Sequence, residues 1–356
     1  MNLPTQRRAD MPELRARAAA IKKHVLANLD HYLVETEKQV VAHGGQVLFA
    51  QNIDEIVAFI QLLAQERGVA SFVGARATGV RNEASALRRV VEALSSDVGA
   101  YLSGHLATLI DAASFDLDRL FAAGIGITGA NFVIADAGAV CLAEGDDFAS
   151  LAGAAPKTHI VVAGIEKIIP RTRDLAVFLR LLSARYPGHS SLLSGPRRAG
   201  ELDGPEAFYL VLLDGGRSAI LADAEKRELL RCIHYGACPE SCPATPVGQP
   251  GALTPLLKPP LIAAPDVYTS ALSDACREAC PVNINFPRAR VALRQDALGQ
   301  ANGWVPLFFR VWAFVMVRPR LYEMVALMAR AFWPVAWKCA HPPAKSLRQL
   351  WRERSR

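Results

Sequence analysis

Ile21, Val25, Leu29 and Leu33 recur at helical spacing near the start of the chain, which predicts an amphipathic helix there. The Gly44-Gly45 break then leads into a short apolar run at 47–50. Asp54-Glu55 opens the stretch IVAFIQLLAQ, and acids at its start suit a helix N-terminus. Gly68 closes that helix ahead of the strand-like ASFV, and Leu87, Val90, Val91 and Leu94 mark another amphipathic helix. After it, short apolar runs dominate at 132–135, 140–143, 160–163 and 209–213, each bounded by Gly, Asp or Pro as buried strands are. The helical DLAVFLRLLSARY separates the third run from the fourth. This alternation predicts an α/β domain, with helices packed on a sheet.

From Ala244 the texture changes, because ATPVGQPGALTPLLKPPLIAAP is too rich in proline for a regular helix and reads as a linker. Beyond Arg288 the pattern is helical again. After Gly303 comes the aromatic stretch 304–337, whose longest uncharged run is 311–317. That is far short of the roughly 20 residues needed to span a bilayer. The stretch could dock partner proteins or touch a membrane peripherally, with Arg310, Arg318, Arg320 and Arg330 at the interface. Packing of two helices on the cysteine-bearing domain is the alternative. The expected organisation is an α/β domain at 1–222, a mostly helical domain at 223–300 and an amphipathic helical tail at 301–356.

A length of 356 residues with 51% hydrophobic content allows a large core and two or three domains. The net charge of +6 is spread along the chain without a basic stripe interleaved with aromatics, which argues against a nucleic-acid partner. The charged N-terminus lacks the apolar stretch of a signal peptide, so a cytoplasmic location is expected. Seven cysteines, five of them between 232 and 280, then point to metal ligation rather than a disulfide framework. Cys141 and Cys339 stand apart and read as structural.

The motif that carries chemistry is CIHYGACPESCP at 232–243. It keeps the C-x2-C-x2-C-x3-C-P spacing of a bacterial ferredoxin loop, with Tyr235 at the second ligand position. A second group, SDACREACP, has Ser273 where a first cysteine would stand, followed by Cys276, Cys280 and Pro281. In helical two-cluster ferredoxin domains the ligands cross over between loops. By that analogy one cluster takes Cys232, position 235, Cys238 and Cys280, and a second takes Cys242, position 273 and Cys276. Serine binds iron more weakly than the softer thiolate, so one cluster, four-iron or three-iron, is expected in preference to two. Zinc is the rival metal, and five cysteines packed as small apolar side chains are the alternative to any metal.

GITGANFVIADAGAV at 126–140, KTHIVVAGIEKIIP at 157–170, SGPRRAGELDGPEAFYLVLLDGGRS at 194–218 and PAKSLRQLWRER at 343–354 resemble the lactate utilisation protein B family. The resemblance implies a LUD domain, similar to the sugar-phosphate isomerase and coenzyme A transferase fold, followed by a helical ferredoxin-like domain with 4Fe-4S iron–sulfur clusters. It also implies an oxidoreductase subunit that passes electrons in L-lactate oxidation to pyruvate, alongside A- and C-type partner subunits. The chain departs from the family pattern in several places. It is shorter between Val73 and Leu120, carries Asp136-Ala137-Gly138 for Glu-Thr-Gly, and has Glu144-Gly145-Asp146-Asp147 for Asn-Glu-Gly-Asn. Two alternatives follow: a redox-inactive paralogue that binds partners, and a small-molecule-binding enzyme of the isomerase/transferase-like fold.

For that last alternative the candidate binding residues are Thr128, Gly129 and Asn131, where a tight turn would expose amides to an anion, and Glu166 and Lys167 in the loop after a strand. A surface ion pair is the plainer account of Glu166-Lys167, and His159 at the strand start ranks below them. Arg197, Arg198 and Glu201 form a charged turn, and Asp214-Gly215-Gly216-Arg217-Ser218 reads as a hairpin turn.

Overall fold

In a computed structural model of the chain, which describes residues 11–69, 72–74, 77–79, 124–142, 153–154, 156–185, 191–201, 204–241, 274–300 and 304–336, two helices come first. These are α1 (Met11–Ala27) and α2 (Leu29–Ala42). Strand β1 (Gln46–Ala50) and helix α3 (Ile53–Glu66) follow. The start of α3 is fixed by a reciprocal cap: Asn52 Oδ1 accepts from the Glu55 N–H at 3.0 Å, while the Glu55 carboxylate accepts from the Gln51 N–H at 2.8 Å.

Strands β2 (Phe72–Gly74), β3 (Ala77–Gly79) and β4 (Ile125–Gly129) come next, then β5 (Phe132–Ile134) and β6 (Ala139–Leu142). After them come β7 (Thr158–Gly164), β8 (Ile168–Ile169), helix α4 (Thr172–Arg185), β9 (Leu192–Ser194), β10 (Ala207–Leu213) and α5 (Arg217–Ala222). They form two sheets. The larger has the order β1-β10-β7-β4-β2-β3 and is parallel apart from the β2–β3 pair. The smaller has the order β8-β5-β6-β9.

The apolar runs explain the layering. Tyr209, Val211 and Leu213 of β10 join Ile160 and Val162 of β7 on the side covered by α3. The alternate residues Phe208, Leu210, Leu212, Val161 and Ala163 pack on the other side with Val25, Val40, Val133 and Val140. Strands covered on both faces need apolar residues at every position, so these runs are continuous rather than alternating. On the far side of the small sheet, Phe132, Ile134 and Cys141 meet Phe178 and Leu181 of α4. Cys141 thus sits fully buried in a strand, as a small apolar side chain would, and burial pushes its thiol up to about 12.

The turn at 214–218 is a correction to the hairpin reading. β10 runs parallel to both neighbours, and the chain leaves it through Gly215 (φ 50°) and Gly216 (φ 85°) directly into α5. The Asp214 carboxylate accepts from the Gly216 and Ser218 N–H groups, each at 2.9 Å. Glycines with positive φ serve a strand-to-helix turn as well as a hairpin, and only the direction of the neighbouring strands separates the two.

Past α5, a 3-10 turn (Arg227–Arg231) leads to α6 (Cys238–Ser241), and after the proline-rich segment come α7 (Ala275–Ala279) and α8 (Phe286–Gln300). The chain divides into two compact units, 1–294 and 295–356. The second contains α9 (Trp304–Val317) and α10 (Pro319–Ala336), which pack on each other. Phe308, Val311, Trp312 and Phe314 of α9 are exposed. Among the described residues no helix is long and apolar enough to cross a membrane. Most of the 74–120 segment, the 144–147 loop, Cys242, Ser273 and Cys339 lie outside the described residues.

Candidate functional site

The two cysteine loops converge in one apolar core. Cys276 and Cys280 are buried there with Val282, Ile284, Phe286, Leu229 and Ile233, and Cys232, Tyr235 and Cys238 pack against the same group. The backbone is bent around the sulfurs. His234 and Asn283 are the non-glycine residues with positive φ among those described, both at 54°, and each follows a cysteine by two or three positions. Such a conformation is unfavourable for a side-chain-bearing residue and persists where the surroundings impose it. Here it accompanies amides aimed at sulfur: the His234 N–H donates to Cys232 Sγ at 3.3 Å and the Ile284 N–H to Cys280 Sγ at 3.5 Å.

Thiolates gain more from such donors than neutral thiols do, and these are the hydrogen bonds that tune iron–sulfur centres. Burial pushes the Cys238 thiol up to about 12, with Cys280 and Cys276 adding to the rise and Arg290 opposing it. Burial also raises Cys280, against the Ile284 N–H and the Arg15 charge. Thiols placed this way ionise only when something takes up their charge, and metal binding does that by displacing the protons.

Among the described residues no three His, Cys, Asp or Glu side chains form a group that could hold a single metal ion. A tetrahedral zinc site requires sulfurs about 2.3 Å from one centre, and the described cysteines do not form one. What the chain offers a thiolate-bound group is its donor chemistry: sulfur-directed amides, apolar surroundings and the shared core of Cys232, Cys238, Cys276 and Cys280. Cys276 reaches the Cys238 carbonyl at 3.7 Å, so two cysteines that the ferredoxin analogy places in different clusters meet at this point.

A second polar group lies under the C-terminal ends of β7 and β10. Glu166 and Lys167 are 0% and 5% exposed, which corrects the surface-ion-pair reading. Glu166 pairs with Arg217 at the start of α5, a residue that is itself 1% exposed. Lys22 of α1 is also buried and donates to the Glu166 carbonyl. Burial pulls Lys22 down from its ordinary 10.5 to about 8, Glu166 working the other way. Gly164 makes the arrangement feasible, since a Cβ there would stand 2.1 Å from Glu166 Oε2 and 2.6 Å from Arg217 Nε. The group ties α1, the end of β7 and α5 together below the surface.

The 128–131 segment is placed differently from an open anion cradle. Thr128 and Gly129 end β4, with Gly129 paired to Val162, and the Asn131 N–H donates to the Cys141 carbonyl at 2.9 Å. Thr128 Oγ1 lies 2.7 Å from His159 Nε2, and His159 Nδ1 lies 3.1 Å from Ser194 Oγ. Burial pulls His159 down to about 3, which keeps the ring neutral between two hydroxyls. Ser194 faces a crevice of about 520 Å³ that Arg197 and Arg198 also line.

Spacing did not single out Arg15, Lys22 or Ser194. A signal for Lys22 was present, since the buried face of α1 runs through Ala18, Lys22, Val25 and Leu26 and so includes a lysine in an apolar stripe.

A LUD domain matches residues 33–213. The chain is 32% identical to the "Uncharacterized electron transport protein YkgF" of Escherichia coli (strain K12), over 90% of this chain and 79% of that protein. It is 31% identical to a "Lactate utilization protein B" of Lysinibacillus sphaericus (strain C3-41), over 91% of this chain and 81% of that one. A crystal structure of a DUF162 family protein from Deinococcus radiodurans is 18% identical, with a TM-score of 0.35, over 52% of this chain and 98% of its own. The α/β unit with its parallel sheet is that of a LUD-domain protein, and the chain belongs to the lactate utilization protein B family.

Proposed function

We propose that this chain is an iron–sulfur electron-transfer subunit of L-lactate oxidation, with Cys232, Cys238 and Cys280 as cluster ligands. The observation that carries the reading is the shared thiol core with the His234 and Ile284 amides turned onto two of its sulfurs, beside positive-φ backbone at His234 and Asn283. The names printed for its relatives, an electron transport protein and lactate utilization proteins, point the same way.

A bound cluster would supply one-electron storage at this position. The chain's own residues supply the rest. Cys232, Cys238 and Cys280 would hold the iron, with Cys276 in the same core. Val282, Ile284 and Phe286 exclude water, which keeps the surroundings apolar and the thiolate hydrogen bonds strong. The His234 and Ile284 amides draw negative charge off two of the sulfurs. Tyr235 packs against the core at the position where the spacing expects a fourth thiolate.

Electrons reaching such a centre must come from and go to other proteins, and the A- and C-type lactate utilisation subunits are the proposed partners. The exposed aromatics of α9 offer the kind of patch that marks a docking surface.

The reading is tested in the organism's own setting. A strain lacking this chain should fail to grow on L-lactate as sole carbon source. Wild-type sequence should restore growth, and Cys238→Ser should not, although the variant accumulates to normal levels. Growth restored equally by both would sink the electron-transfer role and leave the partner-binding paralogue.

A further inference from the structure

The N-terminal helix lies against the cysteine group and brings two cations to it. Arg15 and Lys22 are seven residues apart on α1, so they project from one face, with Ala18 between them in the cysteine core. The Arg15 guanidinium donates to the Cys280 carbonyl at 2.7 Å and to the Glu278 carbonyl. One turn past Ala18, Lys22 is anchored on the Glu166 carbonyl and interacts electrostatically with Cys232. Arg290 of α8, 3% exposed, acts on Cys238 in the same sense. The cysteine group thus has Arg15 hydrogen-bonded to its Cys280 loop, with Lys22 and Arg290 acting on it electrostatically, and two of the three cations come from a helix far away in sequence.

Buried Lys22 has Glu166 as its counter-charge, and Arg15 is held by two backbone carbonyls, one of them that of Cys280. A group of cysteine thiolates around iron carries negative charge. Adding an electron makes it more negative, and a nearby fixed cation favours that state.

Resting on the iron–sulfur reading above, we infer that Arg15 and Lys22 are positioning residues that raise the reduction potential of the cluster and help retain it, so that α1 is the electrostatic cover of the redox site. Neither side chain ligates iron. Arg15 acts through the Cys280 loop it holds, and Lys22 acts from α1, held by the Glu166 carbonyl just past β7.

The experiment compares anaerobically purified full-length wild type, Arg15→Gln, Lys22→Met, Arg15→Lys and Lys22→Arg. For each, iron and sulfide per chain, the thermal melting curve and the midpoint potential from an EPR-monitored redox titration are measured. Arg15 sits at the partly exposed end of the helix, so its replacement leaves the apolar core intact and makes it the decisive variant. In Arg15→Gln the ratio of reduced to oxidised cluster at a fixed potential should fall about tenfold, which is about 59 mV for a one-electron couple. Lys22→Met should move it the same way. Arg15→Lys and Lys22→Arg, which keep the charge, should stay near wild type. Loss of iron from the neutral variants but not from the charged ones, at unchanged melting temperature, supports the same conclusion. Full iron content and a wild-type potential in both neutral variants would overturn the inference while leaving the electron-transfer reading intact. A wild-type protein without iron would overturn both.

Discussion

Gly164, Glu166 and Arg217 form a close, buried arrangement at the residue scale. Their burial means that removing one partner strands a charge, which typically costs about 3–5 kcal/mol. Glu166→Gln should lose that much in urea denaturation, and Gly164→Ala, whose Cβ would displace the Glu166 carboxylate from Arg217, should also destabilise the chain in the same assay. His159 sets a pH dependence instead. Its pKa falls from 6.5 to about 3 on folding, so the unfolded chain binds the extra proton between those values. The stability associated with the neutral ring is fully present above pH 6.5 and is lost as pH falls toward 3, by up to about 5 kcal/mol. In His159→Gln the slope of stability against pH between 6.5 and 4 should flatten, and an unchanged slope would assign the dependence to other groups. Glu166, Lys167 and His159 were all visible as candidates in the sequence. Their burial was not, because the partners Lys22, Arg217 and Ser194 lie on other elements and no local pattern links them.

Among the elements, the apolar runs at 132–135, 140–143, 160–163 and 209–213 each correspond to a strand within a few residues, and DLAVFLRLLSARY corresponds to α4. They were legible because burial on both faces writes itself into every position of a strand. Strand direction is not written locally, which is why the 214–218 turn passed for a hairpin. The stripe through Ile21, Val25, Leu29 and Leu33 is buried or packed against the cores, and the buried face of α1 is wider than it, taking in Ala18, Leu26 and also Lys22, which is not counted as apolar. The Asn52–Glu55 cap, by contrast, follows directly from the acids seen at the start of that helix. Asn52→Ala should lower stability by about 1 kcal/mol, read as a shift in the urea midpoint without a change in slope. A change in slope would mean that more than the helix end is affected.

At the scale of the whole molecule, the LUD domain and the cysteine segment are joined through one core: Phe132, Ile134 and Cys141 of the small sheet, α4, and the loops around Cys276 and Cys280. Spacing announced the cysteines and their ferredoxin-like order. It gave no hint that α1 would lie over them, nor that Cys276 would meet Cys238 across the two loops. The molecule places the thiols in apolar surroundings, turns backbone amides toward two of them and sets the Arg15 guanidinium on the Cys280 carbonyl, an arrangement that we read as a cluster site. The most direct test is therefore to purify the protein without oxygen, measure iron and acid-labile sulfide per chain, and record low-temperature EPR spectra before and after dithionite. The account predicts roughly three to four irons per chain, with a cluster signal that Cys238→Ala abolishes. A chain that takes up no iron, even after reconstitution with iron and sulfide, would contradict it.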